Sequence, residues 1–333
     1  MVQAKLAPRE PAMHLIRAAV AAVAFVMLAQ AGASAQARGE PIRIVSPYPA
    51  GGIGDAIARM LAEHMRTSFA RPVIVENKPG AAGRLGVQFV KGAPPNGDVL
   101  LFVPIAPMVM FPHVYDRLGY DSVADFAPIS QIATFDLGVA VGASVPVKSL
   151  KELVGWLRVH PTQATFGTPA AGSLPHFFAV LFSTAAGLDL RHVAYKGNPQ
   201  AISDLIGGHL PIFFTSSQDL VETHKAGRIR VLATSGKERS SVLPDVPTFA
   251  EAGYAIRGNG WYGMYAPAKT PPELVAQLNA VVVAAVRKPE IRSRLKAVGL
   301  EASGTSPSEL AAIQKADTDF WGPIVKASGF KPE

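Results

Sequence analysis

Ser173, His176 and Asp55 are the side chains of this sequence that most invite a chemical role, because each follows a strand-like run and a turn of small residues. A serine nucleophile needs the elbow G-x-S-x-G, which exposes its hydroxyl at a sharp strand-to-helix turn. The segment Ala171-Gly172-Ser173-Leu174-Pro175 lacks both outer glycines. Ser173 therefore stays open to two readings, a helix-start or turn hydroxyl and a hydrogen bond to a ligand. His176 has no carboxylate at a telling spacing and reads as structural rather than as a base. Asp55 falls in the first turn of a helix, where the macrodipole favours a carboxylate, and could tie down a neighbouring loop.

Metal and nucleotide chemistry find no support. His64, His113, His160, His192, His209 and His224 stand singly, with no H-x-x-x-H or H-E-x-x-H pair. Cysteine is absent, which excludes disulfides and thiolate sites. The glycines after the first strand miss the dinucleotide fingerprint, since counting from Gly52 places Ile57 where the last glycine belongs, and the P-loop Gly-Lys-Ser/Thr is missing. No cofactor, metal or catalytic residue is expected. What remains is binding: Ile42 to Asp55, IRIVSPYPAGGIGD, runs from strand through turn to helix, and such a turn aims a strand end and the first helix amides at one place.

The elements around this turn alternate. Ile57, Leu61 and Met65 against Arg59, Glu63 and Arg66 make Asp55 to Phe69 an amphipathic helix. Strands are expected at Val73 to Glu76, Val99 to Val103, Ala127 to Ala133, Leu137 to Val141, Arg191 to Tyr195, Leu210 to Phe214 and Arg230 to Thr234. Ser149 with Glu152 predicts a capped helix over Leu150 to Val159. A second strand, small-residue turn and helix lie at Thr165 to Ala186, repeating the opening design. Tyr48 and Tyr195 could wall a pocket or pack in the core, and Trp261 and Tyr262 could line a hinge or cover a sheet edge. Helices follow from Pro272, Pro289 and Ser308, and the alternation implies parallel sheets.

Length and composition set the frame. A chain of 333 residues with 49% apolar and 17% charged residues suits two packed α/β domains. Lys5, Arg9 and Arg17 precede the uncharged run Ala18 to Ala29, and Ala33-Ser34-Ala35 follows as a cleavage site, so residues 1–35 read as a secretory signal peptide. Cleavage near Ala35 removes three positive charges and one negative, taking the net charge from +7 to about +5. That mild excess, with the basic segment Arg287 to Lys296 broken by Pro289 and Glu290, excludes nucleic acid as a partner.

Seven segments in order carry a resemblance to a known family: PYPAGGIGDAIARMLAEHM (47–65), VIVENKPGAAGRLG (73–86), APPNGDVLLF (93–102), YDSVADFAPIS (120–130), GTPAAGSLPHF (167–177), VAYKGNPQAISDLIGGHL (193–210) and LPDVPTFAEAGY (243–254). The chain resembles the substrate-binding proteins of tripartite tricarboxylate transporters, the Bug or TctC family. That resemblance implies an α/β periplasmic binding protein of type II, the Venus-flytrap kind. Residues 36–138 with 262–333 would form domain 1 and residues 139–261 domain 2, crossed near Leu137 to Val141 and Asn259 to Met264. It also implies a monomeric periplasmic receptor that is not an enzyme, holds a small carboxylate in the interdomain cleft, and delivers it to the membrane subunits of the transporter.

By position the resemblance implies ligand contacts from Tyr48, Ala50, Gly51 and Gly52, from Ile105 and Ala106, from Thr168, Ala171, Gly172 and Ser173, and from Tyr195 and Lys196. At the end of the strand Leu210 to Phe214 relatives often carry an aspartate, where this chain has Thr215. A neutral residue there argues against an amino-acid ligand and for a plain or aromatic carboxylate, and Pro104-Ile105-Ala106-Pro107 implies a more apolar pocket. Two rivals are a periplasmic sensor domain with a signalling partner and an exported carboxylate-processing enzyme.

Overall fold

The computed structural model describes residues 40–332, so the signal-peptide reading lies outside the described residues. Two sheets organise the chain. The first has the order β11-β4-β10-β3-β1-β2, with β1 at Ile42–Ser46, β2 at Val73–Asn77, β3 at Val99–Pro104, β4 at Phe126–Phe135, β10 at Gly260–Pro267 and β11 at Leu300–Ala302. The second is β7-β6-β8-β5-β9, with β5 at Leu137–Gly142, β6 at Thr165–Thr168, β7 at Arg191–Ala194, β8 at Ile212–Ser216 and β9 at Ile229–Thr234. Among the described residues, no helix is long and apolar enough to cross a membrane.

Both sheets are mixed, which corrects the expectation of purely parallel ones. Strand β1 runs parallel to β2 and β3, and β6 runs parallel to β7 and β8, but β10 is antiparallel to β3 and β4, and β5 to β8 and β9. The reason is the crossing. The parallel strands end at the cleft, whereas a strand arriving from the other sheet starts there and must run away from it. Leu137 at the start of β5 accordingly pairs with Ser216 at the end of β8, and Tyr262 near the start of β10 with Pro104 at the end of β3.

The helices form where the apolar spacing places them. Helix α1 (Ile53–Phe69) buries Ile57, Ala58, Leu61 and Met65 and turns Arg59, Glu63 and Arg66 outward, then ends at Ala70 in the left-handed region. Next come α2 (Arg84–Lys91), the short α3 (Ile105–Val109) and α4 (Phe111–Val114), and α5 (Leu150–Val159), where the Ser149 hydroxyl accepts the Glu152 amide as expected. Helix α6 (Leu174–Ala186) takes Pro175 into its first turn, where the missing N–H is not needed. Helices α7 (Asn198–Gly207), α8 (Val221–Lys225), α9 (Pro272–Arg287), α10 (Pro289–Ala297) and α11 (Pro307–Ala327) complete the set.

The passage between sheets is one residue long. Phe135 closes β4, Leu137 opens β5, and Asp136 sits between them. The return strand is laced to it: Asn259 Nδ2 donates to Asp136 Oδ1 at 2.7 Å, and Ser235 Oγ accepts the Leu137 amide and donates to the Gly258 carbonyl. The second sheet thus already holds Leu137, and the first already holds Gly260 and Trp261. Gly260 is required by close approach, since a Cβ there would run into the Phe135 ring. Gly260→Ala is expected to cost about 1–3 kcal/mol in urea unfolding. Gly155→Ala, in α5 with open space around it, is expected to gain about 0.5–1 kcal/mol.

Candidate ligand-binding site

The cleft between the two sheets holds a cavity of about 390 Å³. Its first-sheet wall is the end of β1, Tyr48, the start of α1, Ile105 and Ala106 at the start of α3, and three aromatic rings. Phe102 and Tyr262 stack at 5.4 Å, and Phe135 lies 5.4 Å from Tyr262. The second-sheet wall is Pro169, the start of α6, Asn198, and the end of β8 with the turn after it. Among the described residues, no lysine or arginine lines the cavity. Positive potential therefore comes from main-chain amides at the starts of α1 and α6, which have no acceptor within their own helices.

The first of these starts is shaped by Asp55. Its carboxylate accepts the Gly51 amide at 3.1 Å, Arg59 Nε at 2.9 Å and Asn77 Nδ2 at 3.0 Å, and Asn77 also donates to the Tyr48 carbonyl. One buried side chain thus gathers the turn, its own helix and the end of β2. Hydrogen bonds from Arg59 hold the Asp55 carboxyl below the usual carboxylate range, against the burial that would raise it. Gly51 takes φ +90°, a left-handed conformation that brings its amide back onto Asp55. Gly52 caps the helix without a side chain, so nothing covers the amides that follow.

The second start is held by its own loop. Thr168 Oγ1 and Ser173 Oγ both donate to the Ala170 carbonyl, at 3.0 and 2.7 Å. The Gly172 amide donates to His176 Nδ1 at 3.1 Å, and His192 Nε2 lies 2.7 Å from Thr168 Oγ1. The imidazoles of His176 and His192 stack at 3.9 Å. Burial pushes His176 down to about 3, with His192 adding to it, and burial pushes His192 down to about 4. Ser173 and His176 are thus bonded to the loop and not to each other.

Of the expected contacts, Tyr48, Gly52, Ile105, Ala106, Ser173 and Thr215 line the cavity. Ala50, Gly51, Thr168, Ala171, Gly172, Tyr195 and Lys196 do not. The physical reasons differ. Gly51 and Gly172 give their amides to Asp55 and His176, and the Thr168 hydroxyl is turned into the loop. Ala50, Ala171 and Lys196 face solvent, and the Tyr195 hydroxyl donates to Asp204 Oδ2 at 2.9 Å. Sequence reasoning missed Phe102, Phe135, Gln218 and Asp219, and it left Tyr262 undecided. Asp219 matters most, because the turn Ser217–Leu220 carries a carboxylate back beside Thr215, so the neutral residue at 215 does not make this wall neutral.

Replacing Asp55 by Asn removes charge-assisted bonds worth roughly 1.5–3 kcal/mol each. Asp55→Asn is expected to lower the melting temperature and to weaken ligand binding at least about tenfold by calorimetry. The histidine pair has a pH signature. Unfolded histidine takes a proton near pH 6.5 whereas the folded pair resists until about 4 and 3, so its stabilisation is complete above about 6.5 and is lost as pH falls below that. Melting temperature is expected to fall between pH 7 and 4.5, less steeply in His192→Phe.

Comparison with known proteins accords with this architecture. The model of the tripartite tricarboxylate transporter family receptor, TctC, matches residues 57–330. A relative from Pseudomonas sp. (strain P51), the UPF0065 protein in the tcbD-tcbE intergenic region, is 32% identical over 289 residues, covering 86% of this chain and 85% of that one. Among solved structures, R. palustris Rpa4515 with adipate has a TM-score of 0.81 at 28% identity, covering 88% of this chain and 98% of that one. The periplasmic binding protein BugD has a TM-score of 0.77 at 29% identity, covering 88% and 99%. The fold is thus that of two-domain periplasmic binding proteins, and the chain belongs to the tripartite tricarboxylate transporter receptor family.

Proposed function

We propose that this protein is a periplasmic solute receptor that closes its two domains on a small carboxylate and delivers it to the membrane subunits of a tripartite tricarboxylate-type permease. One observation carries the reading. Two helix starts, after Gly52 and after Ser173, come from different sheets and open on the same cavity, which, among the described residues, no lysine or arginine lines. Several amides aimed at one carboxylate replace an ion pair, since hydrogen bonds to an ionised acceptor are about twice as strong as neutral ones. A ligand touching both starts binds the closed form more tightly than the open one, and that difference is all that closure requires. The laced passage at Asp136 and Asn259 is where the domains would hinge, dividing the chain near residues 136 and 259.

The cavity volume suits a small acid, and the adipate held by the R. palustris relative is of that class. A thermal-shift screen of the protein purified after export, against mono-, di- and tricarboxylates, aromatic acids and amino acids, tests the reading. At ligand about 100-fold above Kd a rise of roughly 5 °C or more is expected. Gly52→Asp places a negative side chain at one helix start, in open space and at an ordinary backbone conformation, so the variant is expected to fold and lose the shift. Absence of any shift across all acids would sink the receptor reading, and turnover of any acid would replace it with an enzyme.

A further inference from the structure

The helix starts account for a ligand carboxylate, but they leave the acidic wall of the cavity unexplained. Asp219 lies in the single turn Ser217–Leu220 that follows β8, and its side chain lines the cavity. The described ion pairs include none to Asp219. Its polar neighbours are neutral: Asn198 hydrogen-bonds the carboxylate, and the Thr215 hydroxyl, 2.9 Å from Asn198 Oδ1, lies 3.5 Å from Asp219 Oδ2. The adjoining Gln218 also lines the cavity, and its Oε1 is buried with no hydrogen-bond partner. Asp219 therefore presents a carboxylate to a cavity that, among the described residues, no lysine or arginine lines.

A carboxylate held largely out of water without a counter-charge is costly even where neutral groups hydrogen-bond it. Such a wall is completed by a ligand that brings donors and positive charge. We propose, building on the receptor reading above, that the cleft selects an amino carboxylate, with its carboxylate on the helix starts and its ammonium held by Asp219. This reverses the expectation drawn from Thr215, because the acid stands one short turn further along the chain. The aromatic wall of Tyr262 and Phe102 also suits a cation, whose charge is attracted to ring faces. Burial pushes the Asp219 carboxyl up to about 6, against the hydrogen bonds of Asn198 and Thr215. At neutral pH it is mostly ionised, and an ammonium beside it holds it so. The other titratable groups on the cavity wall are Tyr48, Asp55 and Tyr262, with no histidine, so Asp219 is the one that titrates nearest neutrality.

Matched ligands test this by calorimetry at pH 7.5: succinate, malate and aspartate; glutarate, 2-hydroxyglutarate and glutamate; 3-phenylpropionate, 3-phenyllactate and phenylalanine. In at least one series the amino acid is expected to bind at least tenfold tighter than both its plain and hydroxy counterparts. Asp219→Asn, melting within a few degrees of the parent, is expected to lose at least tenfold toward that amino acid while plain acids change less than about threefold. The parent's affinity for the amino acid is also expected to fall as pH drops from 7.5 to 5, and the variant's is not. Tighter binding of plain or hydroxy acids, or an equal effect of Asp219→Asn on all three, overturns the proposal and leaves the receptor reading standing. Failure of every acid to bind overturns both.

Discussion

A single buried carboxylate carries more of this architecture than its size suggests. Asp55 draws Gly51, Arg59 and Asn77 onto one pair of oxygens, and Asn77 reaches on to the Tyr48 carbonyl. These contacts join the β1 turn, helix α1 and the end of β2. An acid placed at a helix start with its charge uncompensated would repel a ligand carboxylate. Here the charge of Asp55 is offset, because both oxygens are taken by donors, Arg59 among them.

The opposite wall solves the same problem with neutral groups. Thr168, Ser173 and His176 spend their polar atoms on the loop Pro169–Gly172, and the stacked His192 supports them from β7. The C-terminal segment adds a brace: Phe330, beyond α11, packs edge-on against His176 and Phe177, while Trp261 of β10 donates to Asp317 within α11. Both walls are thus preorganised by contacts that exclude the ligand. Such walls lose little conformational freedom on binding.

Much of the fold was legible. Apolar periodicity placed α1 and α5, the Ser149 cap marked a helix start, and the two strand-turn-helix segments stood out by their small residues. The strand directions were not legible, because alternation of strands and helices says nothing about a strand that enters from a neighbouring domain. The site was half visible. Residues such as Gly52 and Ser173 sit at chain positions where a helix must begin, whereas Thr168 and Gly172 occupy the same turn but point their polar groups inward. Which way a hydroxyl or amide turns depends on partners such as His176 and Ala170, and no local pattern encodes that.

What the sequence determined by itself is the pair of strand-turn-helix junctions, because small residues between a β-prone run and an apolar helical periodicity allow the chain to turn there whatever surrounds it. It also determined the family, through seven ordered segments. Only the tertiary structure decided the character of the pocket. The turn after β8 folds Asp219 back beside Thr215, and the crossing strand β10 lays Tyr262 over Phe102, so an acidic edge and an aromatic wall meet from residues distant in the chain. The physical reason is that charge and apolar surface act through space, and in this fold the distances are set by how two sheets meet.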